Sequence, residues 1–125
     1  MGNRAVITTE KQDLGVYLHW NGGRDSVEGF LKYCKDQGFR APEKDSYGWA
    51  RLVQVIANFF GGGLSVGIDR YGSLDCDNGD NGVYVIRDWE IVGRKYFEDR
   101  TEQQEYPLDE MVKEVASKQV TEGGG

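Results

Sequence analysis

The sequence predicts an α+β fold, a mainly antiparallel sheet with two or three helices packed on one face. Three observations carry that expectation. β-rich runs early and late in the chain are broken by short polar turns, two amphipathic stretches lie between them, and glycine marks the joins. The 125 residues include 18 glycines, about double the usual ~7% share. A chain of this length builds one domain that buries roughly two-thirds of its unfolded surface.

"RAVITTE" (4–10) and "GVYLHW" (15–20) flank the polar "KQDL" and read as a hairpin. After "NGGRD" comes an amphipathic helix, with Val27, Phe30, Leu31 and Cys34 at i, i+3, i+4 and i+7. Asp25 and Glu28 have capping-box spacing, which predicts Asp25 as N-cap, and Gly38 is placed to end the helix. A second helix begins at Asp45 or Ser46, carries Trp49, Leu52, Val53, Ile56, Phe59 and Phe60 on one stripe, and stops at three glycines. Residues 64–69 read as a strand. "SLDCDNGDNGVYVI" (73–86) holds two Asn-Gly pairs between β-rich runs, the strongest short hairpin signal. Residues 83–97 make one bent strand or two strands kinked near Asp88, and Pro107 opens a last helix with Met111, Val112 and Val115 on its stripe. The expected organisation is a single compact α+β domain over 1–97, a charged connector over 98–106, a C-terminal acidic helix over 107–120 and a disordered tail over 121–125.

Net charge is −6, and the C-terminal segment 98–125 supplies most of it, with eight acids against three bases. A basic face for nucleic acid is therefore not expected. Arg87, Arg94 and Lys95 near Trp89 and Tyr96 have the residue types of a single-strand clamp, but a solvated sheet face with Trp89 in the core suits the acidic balance better. The uncharged run 52–68 has 17 residues, is broken by glycine, and falls short of the ~20 a membrane span needs. Two cysteines make no disulfide framework and "MGNRAVITTE" has no apolar leader core, so a cytoplasmic protein is expected.

The aspartates of 75–80 fail as a calcium loop in either register: from Asp75 the glycine required at position 6 is Asp80, and from Asp77 the ligand required at position 3 is Gly79. Cys76 and the single His19 cannot complete a zinc set. "FFGGGLSVG" closes a helix where a dinucleotide fingerprint opens one. No cofactor is expected. His19 shares a strand face with Tyr17, opposite Val16, Leu18 and Trp20, and Cys34 lies on an apolar stripe where its thiol is inert. A hydrolase that pairs carboxylates in space stays open as a further reading.

Two candidate sites follow. Asp75, Asp77 and Asp80 in the loop, with Asp109 and Glu110 on the last helix, form a partner-binding set for a basic protein surface. His19, Asn21, Gly22, Gly23 and Arg24 run strand, glycine pair, helix start, an arrangement that can present backbone N–H groups to a phosphate or nucleotide. The segments "GVYLHWNGGRDSVEGFLKYCK", "YGWARLVQVIANFFGGG" and "NGVYVIRDWEIVGRKYF" resemble small uncharacterised accessory proteins of phages and conjugative elements of Gram-positive bacteria. That resemblance carries no family activity or site, but small acidic proteins of such elements often counter host defence by binding a nuclease or sequestering a nucleotide signal. The leading expectation is a non-enzymatic acidic binding protein, a counter-defence inhibitor that blocks a nucleic-acid-binding host protein, with the small-ligand reading at Asn21–Arg24 as the alternative.

Overall fold

The computed structural model describes residues 3–61, 65–97 and 106–119. Five strands, β1 (Ala5–Thr9), β2 (Leu14–Leu18), β3 (Val66–Arg70), β4 (Val83–Arg87) and β5 (Glu90–Lys95), and three helices, α1 (Arg24–Asp36), α2 (Ser46–Phe60) and α3 (Leu108–Ser117), make an α+β fold. The sheet order is β3-β2-β1-β4-β5. Its pairs are antiparallel except β1 with β4, which run parallel with Ile7 opposite Tyr84.

Strand alternation sorts the side chains. Ala5, Ile7, Val16, Leu18, Tyr84 and Ile86 face the helices and join Val27, Phe30, Leu31, Cys34, Leu52 and Ile56 in one core. Phe30 meets Phe59 edge-on at 5.3 Å. The opposite face carries Val6, Val83 and Val85, against which Tyr17, Tyr71, Leu74 and Cys76 pack. The helices thus lie on one face, and the 71–82 loop lies on the other.

Caps follow local chemistry. At α2 the Asp45 side chain accepts from the Tyr47 N–H at 3.0 Å, and Gly61 closes the helix with φ 76°. That N–H, then Arg40, holds the Asp45 carboxyl below its usual range. Gly48 lets the 40–42 segment cross α2, since a Cβ there would stand 2.5 Å from the Arg40 carbonyl oxygen. The α1 cap corrects the expected capping box: the N-cap is Gly23 and no side chain caps it. Asp25 lies inside the first turn, where one carboxylate oxygen accepts from Ser26 N–H at 2.7 Å and the other from Tyr106 N–H at 3.2 Å. Glu28 pairs with Arg24 at 3.4 Å instead. The spacing was right for a box, but the chain enters the helix two residues earlier.

A second correction concerns the Asn-Gly segment. It joins no hairpin, because β3 pairs with β2, and β4 pairs with β1 and β5. Gly79 and Gly82 do adopt positive φ, 78° and 65°. That demand is local, however, and leaves the choice of strand partner to the apolar faces. The chain instead crosses the sheet, pinned by buried Asn78, whose amide donates to the Asp75 and Gly82 carbonyls and whose oxygen accepts from the Asp80 and Gly82 N–H groups. The tight hairpin falls at Asp88-Trp89, both at positive φ, between β4 and β5, as in a primed two-residue turn.

The last helix belongs to the same core: Met111 and Val115 are buried in it, and α3 lies against α1. Gly29 permits the approach, since a Cβ there would fall 2.3 Å from Met111 Cγ. Residues 98–105 of the expected connector, residue 120 of the expected helix and the expected tail over 121–125 lie outside the described residues. No helix among the described residues is long and apolar enough to cross a membrane.

Candidate functional site

The glycine turn before α1 is engaged internally. Gly22 N–H donates to the Asn3 carbonyl at 2.8 Å, and Tyr84 O–H donates to the Gly22 carbonyl at 2.7 Å. A Cβ on Gly22 would stand 2.5 Å from Asn3 oxygen, so close approach requires glycine there. Arg24 is held by Glu28, and the buried Asp25 carboxylate sits in the first turn of the helix, where an anion is already favoured by the exposed N–H groups. His19 is exposed and shares a 3.0 Å hydrogen bond with the Tyr17 hydroxyl. Trp20 departs from the expected alternation. It lies beyond the end of β2, 47% exposed, edge-on to His19 at 4.8 Å. Trp49 and Trp89 are core residues, and the Trp89 ring N–H donates to the Phe39 carbonyl.

The acidic loop is partly neutralised. Arg4 Nε approaches Asp80 at 2.7 Å, and Asp80 also accepts from the Arg4 backbone N–H. Only 15% of its side chain is exposed. Arg4 also reaches Asp75 at 3.6 Å, while Asp77 is exposed. This loop covers the sheet face opposite the helices, whereas Asp109 and Glu110 are exposed on α3, on the helical side. The structure therefore does not bring the five acids together.

It does join residues from both candidate sets. A cleft of about 340 Å³ between the end of α2, the β2–α1 turn and α3 is lined by Asn21, Phe59, Tyr106, Glu110, Met111 and Glu114. Two carboxylates, two aromatic rings and one amide converge there, with no cation in the lining. Neither glutamate forms an ion pair among the described residues; both are exposed. Glu110 and Glu114 stand four apart on α3 and share one helical face, a signal that the sequence carried for Glu114, whereas Tyr106 precedes the helix and its N-cap Pro107. Phe59 and Asn21 arrive by tertiary packing.

A wider, shallower trough of about 730 Å³ lies beside β5, lined by Gln12, Tyr71, Asp77, Arg94, Lys95, Tyr96 and Phe97. Its arginine is committed to the fold. Arg94 donates to the Asn81 and Val83 carbonyls and sits between the Tyr84 and Phe97 rings, at 3.9 and 3.8 Å. Burial, then Cys76, pushes the Tyr71 phenol up to about 12. Arg87 pairs with Glu10, and Trp89 is buried, so the basic and aromatic residues of this segment do not form one stacking platform. Burial also pushes the Cys34 thiol up, far from the reactive thiolate range. Among the described residues, no group of three His, Cys, Asp or Glu is placed to hold a metal ion.

Comparisons with protein-family models, with curated proteins and with solved structures find no match.

Proposed function

We propose that this chain is a non-enzymatic binding protein that takes a basic side chain of a protein partner into the cleft of Glu110 and Glu114. The observation that carries this reading is two carboxylates, without an ion-pair partner among the described residues, lining a cleft with two aromatic rings. Aromatic faces attract a cation, and a guanidinium meets carboxylates through charge-assisted hydrogen bonds. A second support is Trp20, exposed directly before Asn21, because interfaces are enriched in Trp and Tyr. Exposed Asp77 and the net charge of −6 add steering at distance more than affinity. The resemblance to mobile-element accessory proteins supplies the partner class: a host nucleic-acid-binding protein, basic by the nature of its own ligand.

The test is recovery of the tagged chain from cells of a Gram-positive host, with nuclease treatment, beside a Glu110→Lys/Glu114→Lys variant. A stoichiometric partner lost by the double reversal, and kept by Asp75→Lys/Asp77→Lys, is the expected result. A partner that survives the Glu110/Glu114 reversal, or no partner at all, would sink this reading.

A further inference from the structure

On the other side of α3, a second cleft opens between α1, α2 and the end of α3. It encloses about 320 Å³ and is lined by Tyr33, Phe39, Tyr47, Arg51, Gln54 and Gln119, among others, with no carboxylate in its lining. Arg51 makes it unusual. Arg4, Arg24, Arg40 and Arg87 each pair with an Asp or Glu. Arg51 pairs with none among the described residues, and its Nε is buried without a hydrogen-bond partner. Buried N–H donors are almost always satisfied, so each exception in a folded protein calls for a reason.

The surroundings fix this guanidinium without satisfying it. Its carbon lies over the Tyr47 ring, 4.7 Å from the centroid, a cation–π contact that gives its N–H groups no hydrogen-bond acceptor. Tyr47 is itself braced by Phe39, edge-on at 6.4 Å, and by Arg40 at 4.4 Å, which Asp45 holds at 2.9 Å. The amides on the α3 side are spent on one another: Asn58 donates to Gln119 at 3.0 Å, and Gln119 donates to the Val55 and Val115 carbonyls. They tie α3 to α2 and leave Arg51 unserved.

We propose that this cleft binds a small oxyanion carried on a planar ring, an aromatic carboxylate or an aryl phosphate monoester. A guanidinium edge presents parallel N–H donors matched to either oxyanion. The rings of Tyr33, Phe39 and Tyr47 offer apolar surface for the rest of the molecule, with Phe39 and Tyr47 set nearly at right angles. The volume is at the lower end of the ~300–1,000 Å³ typical of ligand clefts, which excludes a dinucleotide. In a chain of net charge −6, a local cation free of carboxylates is the place an anion can approach.

Nitrogen–proton correlation spectra of the full chain test this, because the buried Arg51 Nε–H reports directly. The probes are benzoate and phenyl phosphate, with inorganic phosphate as the ring-free comparison and chloride at matched ionic strength as the blank. The expected result is a saturable shift of the Arg51 Nε–H with at least one ring compound, at about tenfold lower concentration than inorganic phosphate needs. The tighter of the two ring compounds identifies the oxyanion. Arg51→Gln should abolish the accompanying shifts at Tyr33 and Tyr47. No saturable shift with either ring compound, inorganic phosphate acting as well as they do, or an unchanged response in Arg51→Gln would each overturn the proposal. Should that variant not fold, the wild-type titration decides alone.

Discussion

On one face of the sheet, Ala5, Ile7, Val16, Leu18, Tyr84 and Ile86 are sealed by three helices. On the other, Val6, Val83 and Val85 lie under an irregular loop that contributes Tyr71, Leu74 and Cys76. The helical face is closed by apolar area. The loop face is closed by a few side chains whose position depends on polar pins, chiefly Asn78 and the Arg4–Asp80 pair. Leu74 reaches the sheet over Gly15, where a Cβ would stand 2.6 Å from its Cδ1. Burial summed over many atoms tolerates a local fault, whereas a pinned loop is lost when one pin goes.

Phe30→Ala should have the largest effect. It empties a fully buried position against Phe59 and is expected to cost about 3–5 kcal/mol in denaturant unfolding. A cost near zero would mean that α1 is not part of the main core. Asn78→Ala should cost less, about 1–3 kcal/mol, by stranding the buried Gly82 N–H, while the Gly82 carbonyl keeps the Val6 N–H. Its signature is regional: hydrogen exchange should quicken across 71–82 and stay slow in α1 and α2. Uniform acceleration would show that the two faces open as one unit, which would break the comparison.

The gentlest probe removes no atom. Cys34 is fully buried on the helical face, while Cys76 is half-buried under the loop; burial raises both thiols. With a disulfide reagent under native conditions, Cys76 should react roughly a hundredfold or more faster than Cys34, since local opening exposes it and Cys34 needs near-global unfolding. Equal rates would show that the helical face opens as readily as the loop. Because thiolate is the reactive form, both rates should rise with pH.

The polar loop also explains where reading the chain succeeded and failed. The Val27, Phe30, Leu31, Cys34 stripe and the Trp49, Leu52, Ile56 stripe were legible because helix burial repeats with a fixed period. Gly38 and Gly61 were legible as helix ends because a residue at positive φ strongly favours glycine. Asn78-Gly79 and Asn81-Gly82 obey the same rule, yet a crossover and a hairpin make the same local demand. Asp25 was misplaced as a cap for a related reason: its carboxylate is used by the Tyr106 N–H, from a segment eighty-one positions away.

By itself, then, the sequence determined the element types, the α+β class, the helical stripes and the acidic balance, because each rests on composition or on spacing within one element. Only the tertiary structure decided that β4 lies parallel to β1, that α3 joins the core, and that Asp80 is spent on Arg4. It also decided that Glu110 and Glu114 meet Phe59 and Asn21, and that Arg51 has no carboxylate partner among the described residues. These are relations between residues far apart in the chain, where strand register and helix docking, set by the summed fit of whole faces, choose the neighbours.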